Sequence, residues 1–234
     1  MVRDWEDFAS LRAALIASQD FAPRGGLATH RLRHRSGLPL DIVPFGGIER
    51  ADRTIAWPPD QDTVFDCFGA REALAASVLV KLPKGINVPV ASITALMILK
   101  TVAWNDRKYT QPGKDAHDIA LFLRHYMTCS DLDSTITNHP DLFGPPGFDY
   151  ETAGARLLGR DVAKLLDPGA VERLLVILLP EADPEGTMLL AGQSGIELEG
   201  MRQLIEAICD EPCRRPKSAR SQVVNLRRPN EKSC

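Results

Sequence analysis

The 234-residue chain predicts an α+β fold, a small mixed β-sheet followed by a helical domain. Three observations predict it. Up to about residue 91 the apolar residues fall in short runs closed by Gly and Pro, the mark of strands and turns. From Ser92 onward they recur at helical spacing. The length and a hydrophobic fraction of 44% are enough for a sizeable core in one or two domains. The expected divisions are an α/β core over 1–91, a helical domain over 92–210 and a basic tail over 211–234.

The first element is a helix from Asp4 to Ser18, with Trp5, Phe8, Leu11, Leu15 and Ile16 along one stripe. Phe21 to Gly26 breaks it. Leu27 to Arg35 reads as a strand with Arg31, Arg33 and Arg35 on one face, and a Ser36-Gly37 turn joins it as a hairpin to the next strand. The arginine row fits either a solvated face or an edge that meets phosphate.

In the next stretch, Leu38 to Phe45, every residue is apolar or proline except Asp41, so it predicts a short buried strand with one carboxylate in it. A charge placed there needs a partner, so Asp41 is either paired with a neighbouring Arg or is a metal ligand. Gly46-Gly47 ends the strand in a turn. Asp52 to Asp66 is loop-rich, with Ile55-Ala56-Trp57 a short edge strand stopped by Pro58-Pro59. A short helix over Phe68 to Ala76 and a hairpin of Val78 to Leu82 with Ile86 to Val90 complete a sheet of about four or five strands.

Ser92 is the N-cap of a helix that runs to about Asp106. Lys100 is the only charge between Gly85 and Asn105. It either snorkels from the core edge or meets an anion, and Arg107, seven residues on, shares its face. Lys114 to Tyr126 is a second helix, in which Lys114 and Asp118 have the spacing of a surface ion pair and Asp115 and Asp118 share a face. His117 and His125 read as ordinary helix residues. After a connection over Asp131 to Tyr150, helices are expected at Glu151 to Leu166, Gly169 to Leu179 and Pro184 to Cys209, the last split by Gly192-Gln193-Ser194-Gly195. Asp167-Pro168 and Asp183-Pro184 are helix-start signals. The tail from Pro212 has no helical period and reads as disordered.

The net charge of -3 gives no global basic field. From Glu211 on there are seven Lys/Arg against two Glu, which leaves about -8 on the body. The charged N-terminus predicts no signal peptide, no apolar run predicts a membrane span, and five scattered cysteines suit a reducing cytoplasm. Cys209-x-x-x-Cys213 lacks the second pair of a zinc site.

Leu40-Asp41-Ile42-Val43-Pro44-Phe45-Gly46-Gly47-Ile48-Glu49 resembles the third-carboxylate strand of nucleotidyltransferases of the AbiEii type, in the polymerase β-like superfamily. Pro89 through Arg107, followed by Lys114-Asp115-Ala116-His117-Asp118-Ile119, is similar to that family's downstream helical motif. The resemblance runs from about Asp4 to Ala207.

It implies metal-dependent transfer of a nucleotide from a nucleoside triphosphate to an acceptor hydroxyl, with Asp41 as catalytic carboxylate and Mg²⁺ ligand. Lys100, Arg107, Lys114, Asp115 and Asp118 are then the nucleotide-binding residues, and Asp41 is expected to open into a cleft shared with Lys100. It further implies the toxin arm of a toxin-antitoxin pair, with tRNA or protein as acceptor and an antitoxin partner.

The family places two further carboxylates on an Asp-x-Asp strand. The opening Met1 to Phe8 resembles the helix after that strand, and the three-residue spacing of Asp4 and Asp7 suits a helix surface. The chain as given is therefore expected to bind nucleoside triphosphate poorly and to transfer no nucleotide until that segment is restored. The alternative from a different class is a catalytically inactive remnant that acts as a binding module.

Overall fold

The computed structural model describes residues 2–24, 29–144 and 148–210. The chain forms two compact units, Met1–Arg71 and Glu72–Cys234. It is α+β, with small antiparallel sheets and a majority of helix.

In the first unit, helix α1 (Trp5–Ala17) starts because the Asp4 side chain accepts from the Asp7 amide at 2.7 Å. The acidic first-turn residues Glu6 and Asp7 suit the positive end of the helix dipole. Three strands, β1 (Phe21–Pro23), β2 (Arg31–His34) and β3 (Pro39–Asp41), form an antiparallel sheet in that order. Its register sets Arg33 between Ala22 and Pro39, and Arg31 opposite Asp41. A separate pair, β4 (Thr54–Ala56) and β5 (Val64–Asp66), carries Ile55. Phe8, Leu32, Ile42, Ile55, Trp57 and Cys67 make the core. There the Trp57 ring meets Trp5 and Phe8 edge-on at 4.9 and 5.2 Å. Helix α2 (Ala70–Ala75) follows β5 in the chain.

The sequence predicts one mixed sheet, and the described residues instead hold three separate antiparallel sheets. Prolines in or beside the strands, Pro23, Pro39, Pro58 and Pro89 among them, remove ladder donors and keep each strand to three or four residues. The Asp41 strand also differs from its expected two-sided burial. Leu40, Ile42 and Pro44 turn inward while Asp41 and Val43 turn outward, since β3 lies at the edge of a sheet with one solvated face. Leu27 and Ala28, the start of the expected arginine strand, lie outside the described residues.

The second unit opens with the expected hairpin, β6 (Val78–Lys81) and β7 (Asn87–Val90), joined through a 3₁₀ turn at Pro83–Gly85. Helix α3 (Ile93–Arg107) comes next, with Ser92 capping the Ala95 amide. Helix α4 (Lys114–His125) starts after Gly113, whose φ of +84° belongs to glycine. The connection expected over Asp131 to Tyr150 contains a short helix α5 (Leu132–Asn138), capped by Asp131. Helices α6 (Tyr150–Leu165) and α7 (Pro168–Ala182) start at Asp149 and at Asp167-Pro168. The expected helix start at Asp183-Pro184 is instead the end of α7, with Asp183 as its C-cap. A short α8 (Leu189–Ser194) and an amphipathic α9 (Leu198–Asp210) complete the unit, parted by Gly195 at φ +67°. The tail over 211–234, with Cys213, lies outside the described residues. Among the described residues no helix is long and apolar enough to cross a membrane.

Helices α6 and α9 approach closely because α6 presents Gly159. A Cβ there would lie 2.4 Å from the Leu204 carbonyl oxygen and 2.8 Å from the Ala207 Cβ. Backbone cannot yield as a flexible side chain can. Gly159→Ala is expected to cost about 2 kcal/mol by forcing the two helices apart, despite the better helix propensity of alanine. Urea denaturation checks this, and a variant as stable as the parent contradicts the close packing.

Candidate functional site

The helical unit gathers four of the six sequence-designated residues into one cluster. Lys100 and Arg107 lie two turns apart on α3, and Asp115 and Asp118 lie one turn apart on α4. Asp115 is the first residue of the buried stripe of α4, ahead of Ala116, Ile119, Ala120 and Leu123, so packing of that stripe carries its carboxylate inside. It is 1% exposed. Arg107 grips it as a fork, Nε donating to Oδ2 at 2.6 Å and a terminal NH₂ to Oδ1 at 2.9 Å. Lys100 Nζ donates to Asp115 Oδ1 at 3.2 Å and pairs with Asp118 Oδ2 at 2.5 Å.

Two cations and two carboxylates thus balance in charge, but not in exposure. The side chains of Lys100 and Arg107 keep 27% and 34% of their surface, whereas Asp115 is enclosed. Burial raises the Asp115 carboxyl, and the hydrogen bonds from Arg107 and Lys100 outweigh it, leaving the pKa below the ordinary carboxylate value. For Lys100, burial works to lower the pKa and the bonds to Asp118 and Asp115 outweigh that, holding it above the usual lysine value. Both groups are therefore ionised at neutral pH.

Lys114, the fifth residue, begins α4, and Asp118 pairs across the helix pair with Lys100. The tertiary contact is favoured because Lys100 is already held at Asp115, whereas an exposed i,i+4 pair is worth only about 0.3 kcal/mol. His117 is exposed and turns its ring back to the Gly113 carbonyl at 2.5 Å.

Asp41, the sixth, lies in the first unit. Both of its oxygens meet the Arg31 guanidinium, Nε to Oδ1 and a terminal NH₂ to Oδ2, each at 2.5 Å. Of the two sequence alternatives for this carboxylate, the arginine pair is the one present. Mg²⁺ takes six oxygen ligands in near-octahedral geometry, usually with several waters and one or two carboxylates. Asp41 is already engaged on both oxygens, and the described residues contain no group of three or more His, Cys, Asp or Glu placed to hold a metal. The described residues do not by themselves assemble a two-ion site.

The buried carboxylate of the Asp41 stretch is Glu49, which the sequence does not single out. Its side chain is 0% exposed. It accepts from the Gly46 amide at 2.7 Å, Arg53 Nε at 2.7 Å and Arg71 Nε at 3.1 Å, while Arg71 also donates to the Gly46 carbonyl at 2.9 Å. The i,i+4 spacing of Glu49 and Arg53 is the one signal the sequence holds for this site, and Arg71 has none. Near it, burial together with the negative charges of Glu49 and Asp66 pushes the Cys67 thiol up to about 11, so it stays protonated and is no nucleophile at neutral pH.

No protein-family model, curated protein or solved structure matches the chain.

Proposed function

We propose that the chain is a nucleotidyltransferase-like protein that engages a nucleoside triphosphate, and that metal-dependent transfer of its nucleotide to an acceptor hydroxyl needs, beyond the described residues, the two carboxylates of an Asp-x-Asp strand. The observation that carries this reading is the Lys100–Arg107–Asp115–Asp118 cluster. Asp115 fixes two cations side by side while leaving each a solvent-facing surface. A triphosphate would meet the N–H donors of that guanidinium and ammonium not taken by Asp115 or Asp118, and two cations already held in place orient it at little further ordering cost. Lys114 at the start of α4 is a third cation of the same helix pair. The acceptor in this proposal is tRNA or protein, and an antitoxin is the proposed partner.

A second reading, a catalytically silent nucleotide-binding module, is favoured by the bidentate hold of Arg31 on Asp41. Binding and transfer separate the two. Equilibrium dialysis with labelled nucleoside triphosphate and Mg²⁺ is expected to show weak but saturable binding that falls at least tenfold in Lys100→Met, with the fold of the variant checked by circular dichroism. Binding that is absent, or unchanged in Lys100→Met, overturns the assignment of the cluster. Label moved onto RNA or protein establishes the transferase. Lys100-dependent binding with no transfer establishes the silent module.

A further inference from the structure

The arginine row, Arg31 and Arg33 on β2 and Arg35 just past its end, is a feature of the sequence that the proposed function leaves unused, and its three members differ in their surroundings. Arg31 is opposite Asp41 and forked onto it. Arg35 Nε is 3.2 Å from Asp20 Oδ1. Arg33, between them, has Ala22 and Pro39 as its cross-strand neighbours, neither of which carries charge. Among the described residues no carboxylate pairs with it. Pairing in this sheet therefore neutralises the two outer arginines and leaves the middle one to solvent.

A pocket of about 400 Å³ opens beside Arg33, lined among others by Gln19, Asp20, Phe21, Arg35 and Ser36. The His34–Gly37 turn, closed by the Gly37 amide donating to the His34 carbonyl at 2.8 Å, supplies part of its lining. Gly37 has φ +92°, and a Cβ there would lie 3.7 Å from a terminal nitrogen of Arg33, so the guanidinium lies over the turn. Arg35 keeps 76% of its side-chain surface despite its contact with Asp20. Phe21 and His34, cross-strand partners that also line the pocket, hold their rings 5.0 Å apart on the core side of the sheet.

The Arg33 guanidinium and the Gln19 amide suit the oxygens of a phosphate, and arginine matches that geometry with paired donors, while the Ser36 hydroxyl is held 2.7 Å from His34 Nδ1. The volume exceeds what a bare phosphate fills and falls in the range of small-ligand sites. Asp20 is the one carboxylate in the lining, and it is occupied by Arg35.

We propose that the pocket at the Ser36–Gly37 end of the three-stranded sheet binds a phosphoester of nucleotide size, with Arg33 as its anchoring cation. The proposal does not rest on the Lys100 cluster, and its failure leaves the nucleotidyltransferase reading intact.

The test uses the full chain at about 0.15 M salt, where exposed charges more than about 8 Å apart are largely screened. Adenosine monophosphate is titrated by calorimetry, and a short single-stranded oligonucleotide is titrated with and without a 5′-phosphate. The variants are Arg33→Ala and, as a control, Arg50→Ala, which removes the same charge from an exposed position outside the pocket. Arg33→Ala is expected to weaken the phosphoester at least tenfold, while Arg50→Ala changes it less than twofold.

Arg33-dependent binding of the monophosphate identifies a free nucleotide as the ligand. A preference for the 5′-phosphorylated oligonucleotide that Arg33→Ala erases, without monophosphate binding, identifies a nucleic-acid end. Equal losses in Arg33→Ala and Arg50→Ala, or no Arg33-dependent binding of any probe, overturn the proposal. Since Arg33 is exposed and its sheet neighbours make no ion pair with it, the substitution leaves the fold intact, which urea denaturation of the same sample checks.

Discussion

Asp115→Ala is expected to destabilise the second unit by about 3 kcal/mol, because removing one partner of a buried ion pair leaves the others uncompensated. Asp115 is enclosed and takes three hydrogen bonds from Arg107 and Lys100. The loss sits at the low end of the usual range because the two cations retain exposure and can recover some hydration. Asp115→Asn should lose less, since the amide oxygen still accepts from Arg107, but its NH₂ then faces a donor.

The pH dependence comes from the depressed folded-state pKa of Asp115. Its contribution to stability is fully present above the unfolded carboxylate value, about pH 4, and is lost as pH falls through the lower folded value. The parent should therefore lose stability more steeply below about pH 4 than Asp115→Asn does. Urea midpoints from about pH 2.5 to about pH 7 measure both effects. Equal acid sensitivity of parent and variant would show that the cluster does not contribute to stability through ionised Asp115.

Glu49→Ala carries an expected loss of about 4 kcal/mol in the first unit, again by stranding buried donors. The side chain is wholly enclosed, and its removal leaves the Gly46 amide and the mostly buried Arg53 without this acceptor. Arg71, half exposed, turns to solvent. Asp41→Ala is the internal comparison. It breaks an ion pair of equally good geometry at an exposed edge, where such pairs contribute about 0–1 kcal/mol. Hydrogen exchange over the Gly46–Arg53 segment, together with urea midpoints, should rank Glu49→Ala well below Asp41→Ala. A difference under about 1 kcal/mol would contradict the view that enclosure, rather than pairing geometry, decides the energetics here.

How much of the fold and the site is legible in the sequence depends on the range of the interaction that decides each feature. Short-range signals hold. Ser92 and Asp167 each cap a helix as expected, and the Val78–Val90 hairpin folds about its Pro83–Gly85 turn. Each is settled within a few residues by a side chain meeting its own backbone. Asp183-Pro184 shows the limit of such a signal, for the same dipeptide that starts α7 at Asp167 here ends it. Whether a helix continues past a proline depends on whether its apolar face finds a surface, which the dipeptide does not record.

The sequence by itself determined the α+β class, the helical character of the chain from Ser92 on, and the placement of Lys100 and Arg107 on one face of α3, since seven residues make nearly two turns, but not the short strands β1 and β5 or helix α5. Tertiary structure alone decided the charges. Lys114 and Asp118 have ion-pair spacing, yet Asp118 meets Lys100 because α3 packs on α4 and carries that lysine in. The sequence predicts a buried Asp41 and gives Glu49 no role, and the reverse holds, because a one-sided sheet turns alternate residues outward while Arg53 and Arg71 enclose the glutamate. Spacing specifies which side chains share a face; only packing specifies what that face meets and how much water remains, and the cost of an ion depends on the latter.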